Sequence, residues 1–381
     1  MIDPLVPSFV LFTAALVHTL VVNAWRDRLK KAIEGSTALN DVADRAPHIT
    51  VIVPARNAAD TLVPLLQDLN AQDLPKENFA VILVDDHSDD STSTIAQGMV
   101  RMWSGLKVLM NEGTGKKAAI TTGVCSAEDG IILLTDADAR CGRSRLRNIL
   151  HTMEGDGLDL LLLPVHTESA GGFIGRLQEE EQAGLLGMAA SEALLGRPSL
   201  AYGANMAFTR KAFEEVGGYR GDRFASGDDV FLLQRMKQAN MRIGFLYDQR
   251  VLVTVKAETT WGAFLQQRLR WAGKMRGLRG AFPWIGSLAL LLPWLLVAAT
   301  VRFKIEAIME GHGFEALLFL VLAWLLWIIP PVALVGDVRR YLGQRRSPLI
   351  TTVCYVVFTV YAPLIAITSI FIRPRWKGRK T

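Results

Sequence analysis

Long apolar stretches lie at the two ends of this 381-residue chain, and short alternating ones lie between them. Leu5 to Ala24 forms one run, and three more cover about 284–301, 316–336 and 348–372. Each is long enough to cross a hydrocarbon core of roughly 30 Å as a helix. Between Arg26 and Gly280 no comparable run occurs and charges of both signs are dense, which predicts a water-soluble unit.

Within that unit β-branched runs alternate with helical periodicities. Ile49–Pro54, Ala80–Val84, Leu106–Met110 and Ile131–Thr135 predict strands. Ala59–Ala71, with Leu62, Leu65, Leu66 and Leu69 on one face, Ser91–Val100 and Lys116–Ala127 predict the helices between them. This alternation implies an α/β fold with a parallel, doubly wound sheet. Ligands of such sheets bind beyond the carboxyl ends of the strands. Residues 172–196 predict a further amphipathic helix, either at a membrane surface or in the core, on which Glu179, Glu180 and Glu181 read as a solvated face.

Composition sharpens the division. Half of the residues are apolar and the mean hydropathy is +0.24, high for a soluble protein. The expected organisation is an N-terminal transmembrane anchor (1–25), a linker (26–47), an α/β domain (48–280), a C-terminal membrane region (281–372) and a basic tail (373–381). The first run carries Asp3 in place of a positive n-region and is followed by Arg26, Arg28, Lys30 and Lys31 without an A-x-A site, so it reads as a retained anchor. Its positive flank places the soluble unit in the cytoplasm, as part of a multi-pass protein of the cell membrane. Cys125, Cys141 and Cys354 show no paired or metal-ligand spacing and read as reduced thiols. The net charge of +5 comes largely from membrane-flanking residues and points to lipid head groups as partners, not nucleic acid. Four spans would leave the basic tail outside, so one segment, near Pro293, Pro330, Pro331 or Pro363, is a candidate for a re-entrant or interfacial course.

Polar clusters follow each predicted strand: Pro54-Ala55-Arg56-Asn57, Asp85 to Thr92, Asn111-Glu112-Gly113, and Asp136-Ala137-Asp138. Any one of them would serve as a turn or a helix cap. Four at consecutive strand ends converge on one crevice. A D-x-D pair there aims one carboxylate at a hard cation and the other at a ribose or second metal position. Mg²⁺ or Mn²⁺ so held bridges a diphosphate and neutralises its charge as it leaves. Asp86 is the acceptor for a nucleotide base or ribose.

The chain resembles the family 2 glycosyltransferases, an inverting group with a GT-A fold, over about residues 49–275. The resemblance rests on eight ordered elements: V-I-V-P-A-R-N (51–57), V-D-D-H-S-D-D-S-T (84–92), G-K-K-A-A-I (115–120), T-D-A-D-A (135–139), G-A-N-M-A-F (203–208), G-G-Y (217–219), S-G-D-D-V-F-L-L (226–233) and Q-R-L-R-W (267–271). It implies that Pro54, Arg56, Asp85 and Asp86 line a nucleotide pocket, that Lys116 lies near the diphosphate, and that Asp136 and Asp138 form the metal motif, with Asp138 the direct ligand. Asp228 and Asp229 stand in the place of the family's Glu-Asp pair, Asp229 as general base; the alternative is that either caps the following helix. Gln267, Arg270 and Trp271 match Q-x-x-R-W, Arg270 toward the diphosphate and Trp271 under the acceptor or at the membrane interface. Gly203 and Asn205 are expected where backbone approaches the donor sugar, an ordinary turn being the alternative. The resulting expectation is metal-dependent transfer from a UDP- or GDP-sugar to a lipid or lipid-linked acceptor at the cytoplasmic face, or else a processive polysaccharide synthase that exports its polymer.

Overall fold

Strands whose side chains are apolar on both faces must lie between two layers of helices, and the four predicted strands do so. The computed structural model describes residues 4–34, 48–222, 224, 226–275, 277, 282–310, 314–345, 347–372, 375–376 and 379–380. The expected linker beyond Glu34 and most of the basic tail lie outside these residues.

In chain order, α1 (Leu5–Glu34) is followed by β1 (His48–Ala55), α2 (Ala59–Asn70), β2 (Phe79–Asp85), α3 (Thr92–Val100), β3 (Leu106–Met110), α4 (Lys116–Cys125) and β4 (Gly130–Leu134). Then come β5 (Arg140–Cys141), α5 (Arg145–Gly155), β6 (Leu160–Leu162), β7 (Val165–Glu168), α6 (Gly172–Leu194), β8 (Met206–Thr209) and α7 (Arg210–Glu215). The rest are α8 (Asp228–Gln238), β9 (Ile243–Phe245), β10 (Val253–Lys256), α9 (Trp261–Met275), α10 (Phe282–Glu310), α11 (Phe314–Tyr341) and α12 (Pro348–Phe371).

The main sheet has the order β3-β2-β1-β4-β8-β6-β9. Strands β1 to β4 are mutually parallel, as expected. The sheet is not parallel throughout, because β8 runs against both β4 and β6. The chain returns to β8 from the carboxyl end of β4, pairing Met206 with Leu134, so no right-handed crossover governs that step. One consequence is functional: the segment just before β8, with Gly203 and Asn205, lands at the same edge as the ends of β1 to β4.

Alternation divides the core. Ile49, Val51, Val53, Val81, Leu83, Ile131 and Leu133 point to one face, packing with Leu62, Leu65, Leu66 and Leu69 of α2 and Leu146, Ile149 and Leu150 of α5. Ile52, Ile82, Val84, Ile132 and Leu134 point to the other, against Ile120 and Val124 of α4 and Leu232, Leu233 and Met236 of α8.

Three described helices are long and apolar enough to cross a membrane: Leu5–Ile33, Phe314–Tyr341 and Pro348–Phe371. Leu11 and Ala15 of α1 pack with Leu292 and Leu296 of α10 and Leu320, Ala323 and Trp327 of α11. Farther along, Val22 and Leu29 of α1 meet Ala183, Leu186 and Ala190 of α6 and Leu334, Val335 and Val338 of α11. Helix α6 is therefore a core helix joining the sheet unit to the apolar helices. Past α12, the backbone of Arg375–Trp376 comes back against α9.

The acidic triplet of α6 is not a solvated face. Glu179 accepts hydrogen bonds from the Ser169 backbone N–H (3.1 Å) and hydroxyl (2.9 Å) and pairs with Arg176 at 2.9 Å and Arg339 at 3.4 Å. Glu180 lies 3.2 Å from Arg339 and accepts from Thr351 Oγ1 at 2.9 Å. Glu181 takes the Arg268 fork through Nε and Nη2, the latter at 2.6 Å. Consecutive helical residues point roughly 100° apart, so the three glutamates diverge: Glu179 and Glu180 share Arg339 and Glu181 meets Arg268.

Candidate functional site

The crevice is assembled from strand ends and from the N-termini of α4 and α8. Gly227, with φ of 86°, lies in the left-handed region that favours glycine and turns the chain into α8, so that Asp228 and Asp229 open the helix. Both carboxylates thus sit at its positive end. Asp229 takes the N–H of Val230 at 2.7 Å, whereas Asp228 reaches across the crevice.

Lys116, the first residue of α4, binds that carboxylate. Its Nζ lies 2.9 Å from Asp228 Oδ2 and 2.8 Å from Asp136 Oδ1, joining α8 to the end of β4. Gly203 leaves room for this bridge: a Cβ there would stand 2.5 Å from Asp228 Oδ2 and 3.0 Å from the ammonium. Burial acts to raise the Asp228 pKa, but the charge and hydrogen bond of Lys116, helped by Lys274, hold it below the ordinary carboxylate value. Burial acts to lower Lys116, and the paired carboxylates Asp136 and Asp228 outweigh it and raise the pKa. A second ammonium covers Asp229, with Lys274 Nζ 3.0 and 2.9 Å from its two oxygens. Burial lowers the Arg270 pKa against the opposing charges of Asp136, Glu258, Asp228 and Asp138, which places this guanidinium in the field of the D-x-D pair. Asp138 is exposed at the mouth.

The opposite wall holds Asp86, which accepts from Asn111 Nδ2 at 2.7 Å and from the Gly115 N–H at 2.9 Å. These bonds tie the end of β2 to the loop that presents Lys116. Asp85, 1% exposed, accepts from the Ser88 N–H at 3.1 Å and from its hydroxyl. Pro54 is half-buried in β1.

Several expected contacts are committed elsewhere. Arg56 donates to the carbonyls of Asp86 (2.8 Å) and His87 (2.9 Å) and pairs with Asp89, so it shapes the loop after β2. Asn205 is fully buried beneath the crevice; its amide donates to Pro164 O and Val251 O and its carbonyl accepts from Arg145, which also donates to Thr135. It is a clamp between strands, placed there because four buried polar groups must be satisfied at once. Gln267 donates to Glu258 at 3.1 Å and accepts from Arg268. Trp271 lies over the Arg268 guanidinium, 4.4 Å from its ring centroid, and so packs within the structure.

Lys274 is the main residue that sequence reasoning missed. It lies one turn past Arg270 and Trp271, and residues three and four apart share a helix face. Tyr202 lies outside the motifs, and Tyr219 closes G-G-Y without a role assigned to it there; burial first, and then neighbouring Asp229 for Tyr202 and Asp228 and Asp229 for Tyr219, raise both phenols.

Residues 50–217 match the model of Glycosyl transferase family 2. That stretch is a domain of this family, in the GT-A fold. The chain is 28% identical over 204 residues to glycosyltransferase AglE of Haloferax volcanii, covering 53% of this chain and 65% of that one. It is 24% identical over 315 residues to beta-monoglucosyldiacylglycerol synthase of Synechocystis sp., covering 81% and 60%. The aligned regions thus span under two thirds of these relatives. Among solved structures, mannosyltransferase PcManGT from Pyrobaculum calidifontis, in complex with GDP-Man and Mn²⁺, superposes with a TM-score of 0.58 over 94% of this chain and 99% of that one, at 20% identity.

Proposed function

We propose that the chain is a membrane-bound, inverting glycosyltransferase that moves a sugar from a nucleoside-diphosphate donor to a lipid or lipid-linked acceptor at the cytoplasmic face. The observation that carries this reading is the crevice in which Lys116 joins Asp136 to Asp228 beside the Lys274-bound Asp229. Asp86 and its Asn111–Gly115 frame face the nucleoside; Pro54 and the loop held by Arg56 complete that wall. Lys116 and Arg270 face the diphosphate, where the planar fork of arginine suits two phosphate oxygens. Asp229 takes the proton of the attacking hydroxyl, and its release from Lys274 is the step that frees it to do so. Asp228 holds Lys116 in place.

A divalent metal fits this donor set. Among the described residues no three His, Cys, Asp or Glu side chains form a metal cluster, and Mg²⁺ characteristically takes one or two carboxylates plus substrate phosphates. Asp138, exposed at the mouth, and Asp136 are the oxygens on offer. When bound, the ion neutralises charge on the departing diphosphate.

The lipid acceptor is favoured by the apolar helices and by the relative from Synechocystis, which is named for the synthesis of a monoglucosyldiacylglycerol. The decisive experiment supplies labelled UDP- and GDP-sugars to membranes containing the chain. Asp229→Asn is expected to lower transfer by roughly 10²–10⁴-fold, with chelation of divalent ions abolishing it. Undiminished transfer by this variant sinks the assignment of the base. Label in an organic-extractable product is expected; label in a high-mass water-soluble polymer would instead establish a polysaccharide synthase.

A further inference from the structure

Where α6 begins and α12 begins, two adjoining cavities open side by side. The larger, about 320 Å³, is lined by Gly172, Phe173, Arg176, Leu349, Ile350 and Val353. The smaller, about 70 Å³, is lined by Arg176, Glu180, Arg339, Arg345, Ser347 and Ile350. Arg176 and Ile350 belong to both, so an apolar cleft leads directly into a cationic one.

The apolar cleft continues along an exposed stripe. Leu349, Val353, Val356, Val360, Leu364 and Ile367 of α12 are all exposed, and their three- and four-residue spacing puts them on one helix face. Phe173 stands opposite, 47% exposed. At the head of the stripe, three arginines meet two carboxylates. Arg339 is held by Glu179 and Glu180, and Arg176 by Glu179. Glu180 is satisfied by Arg339 and Thr351. Arg345 is exposed, and no carboxylate among the described residues lies within ion-pair distance of it.

We propose that this paired cleft binds an anionic glycerophospholipid, its phosphate between Arg345 and Arg176 and an acyl chain in the groove of Phe173, Leu349, Ile350 and Val353. The charge balance selects the lipid class. Among the described residues the Arg345 charge has no carboxylate partner, and both nearby carboxylates are already paired, so an anionic headgroup is matched while the ammonium of a zwitterionic one finds no counter-charge. The site lies apart from the D-x-D crevice, and its occupant is a bound lipid and not the acceptor of the transferred sugar. The proposal rests on the reading of the chain as membrane-bound given above.

The test uses the full chain. In detergent, dioctanoyl phosphatidylglycerol is expected to raise the thermal midpoint above the effect of dioctanoyl phosphatidylcholine, and inorganic phosphate to do neither. Arg345→Gln should weaken the response to phosphatidylglycerol about fivefold, the worth of one basic residue at an anionic surface. Val353→Trp, which fills the groove, should remove that response while the lipid-free midpoint and donor hydrolysis stay at wild-type values. Equal responses to the two lipids, an unchanged response in Arg345→Gln, or full protection by phosphate alone would overturn the site. Flotation of wild-type protein separates the two readings: failure to float with any vesicle sinks both, whereas flotation with no preference for phosphatidylglycerol sinks this site alone.

Discussion

Two clusters of carboxylates in this molecule are built from nearly the same groups and behave differently. At the crevice, Asp136, Asp228 and Asp229 are met by Lys116 and Lys274. On α6, Glu179, Glu180 and Glu181 are met by Arg176, Arg339 and Arg268. Lysine is a compact point charge on a flexible stem, whereas arginine offers a rigid fork. The first cluster opens to solvent at Asp136 and Asp138, so its ammonium partners are exchangeable. In the second, Glu181 and Arg268 are 6% and 5% exposed, with Arg268 packed between Phe264 and Trp271, so this pair is bound into the framework, and only Arg176, 48% exposed, stands at the cluster's rim. Acid count in the sequence does not separate a reactive centre from a joint; partner type and solvent access do.

The comparison breaks most readily at Glu181. Glu181→Ala strands the Arg268 charge in the interior and is expected to cost about 3–5 kcal/mol, read as a loss of unfolding midpoint in detergent. An unchanged midpoint would place Glu181 among surface charges. Thr351→Val removes a donor to buried Glu180 and should cost about 1–3 kcal/mol by the same measurement. Asp136→Asn at the crevice should change stability by about 1 kcal/mol or less, because that pair is partly solvated, while donor turnover collapses. A stability loss as large as that of Glu181→Ala would make the two clusters alike.

The smallest effect is in pH. The folded-state pKa of Asp228 lies below its ordinary value, so its contribution to stability is complete above about pH 4 and disappears as pH falls through the lower, folded value. The stability gap between wild type and Asp228→Asn should therefore stay constant from neutrality to about pH 5 and close only in stronger acid. A gap that closes near pH 6 would contradict the Lys116 bridge.

Much of this was legible in the sequence. The four parallel strands and their helices follow from period-two and period-3.6 patterning, and the D-x-D carboxylates fall where a buried strand must end. Pairings across the fold were not legible. Lys116 meets Asp228 more than a hundred residues away, and nothing local to either announces it. The α6 triplet misled because three adjacent acids look like a solvated stripe, although on a helix they diverge and can be buried separately. Asn205 reads as a crevice residue because Gly203, two positions earlier, borders Asp228 and Lys116; its burial depends on the antiparallel entry of β8, which local periodicity does not reveal.

The double bridge made by Lys116 gives the resting crevice an internal electrolyte. Three carboxylates against two ammonium groups leave a net charge of about one negative unit before Asp138 and Arg270 are added. Were Asp136 and Asp138 to hold a divalent ion beside a diphosphate, Lys116 and Lys274 would be the ammonium groups free to turn from carboxylate to phosphate. The resting crevice thus does not leave its three carboxylates bare against one another.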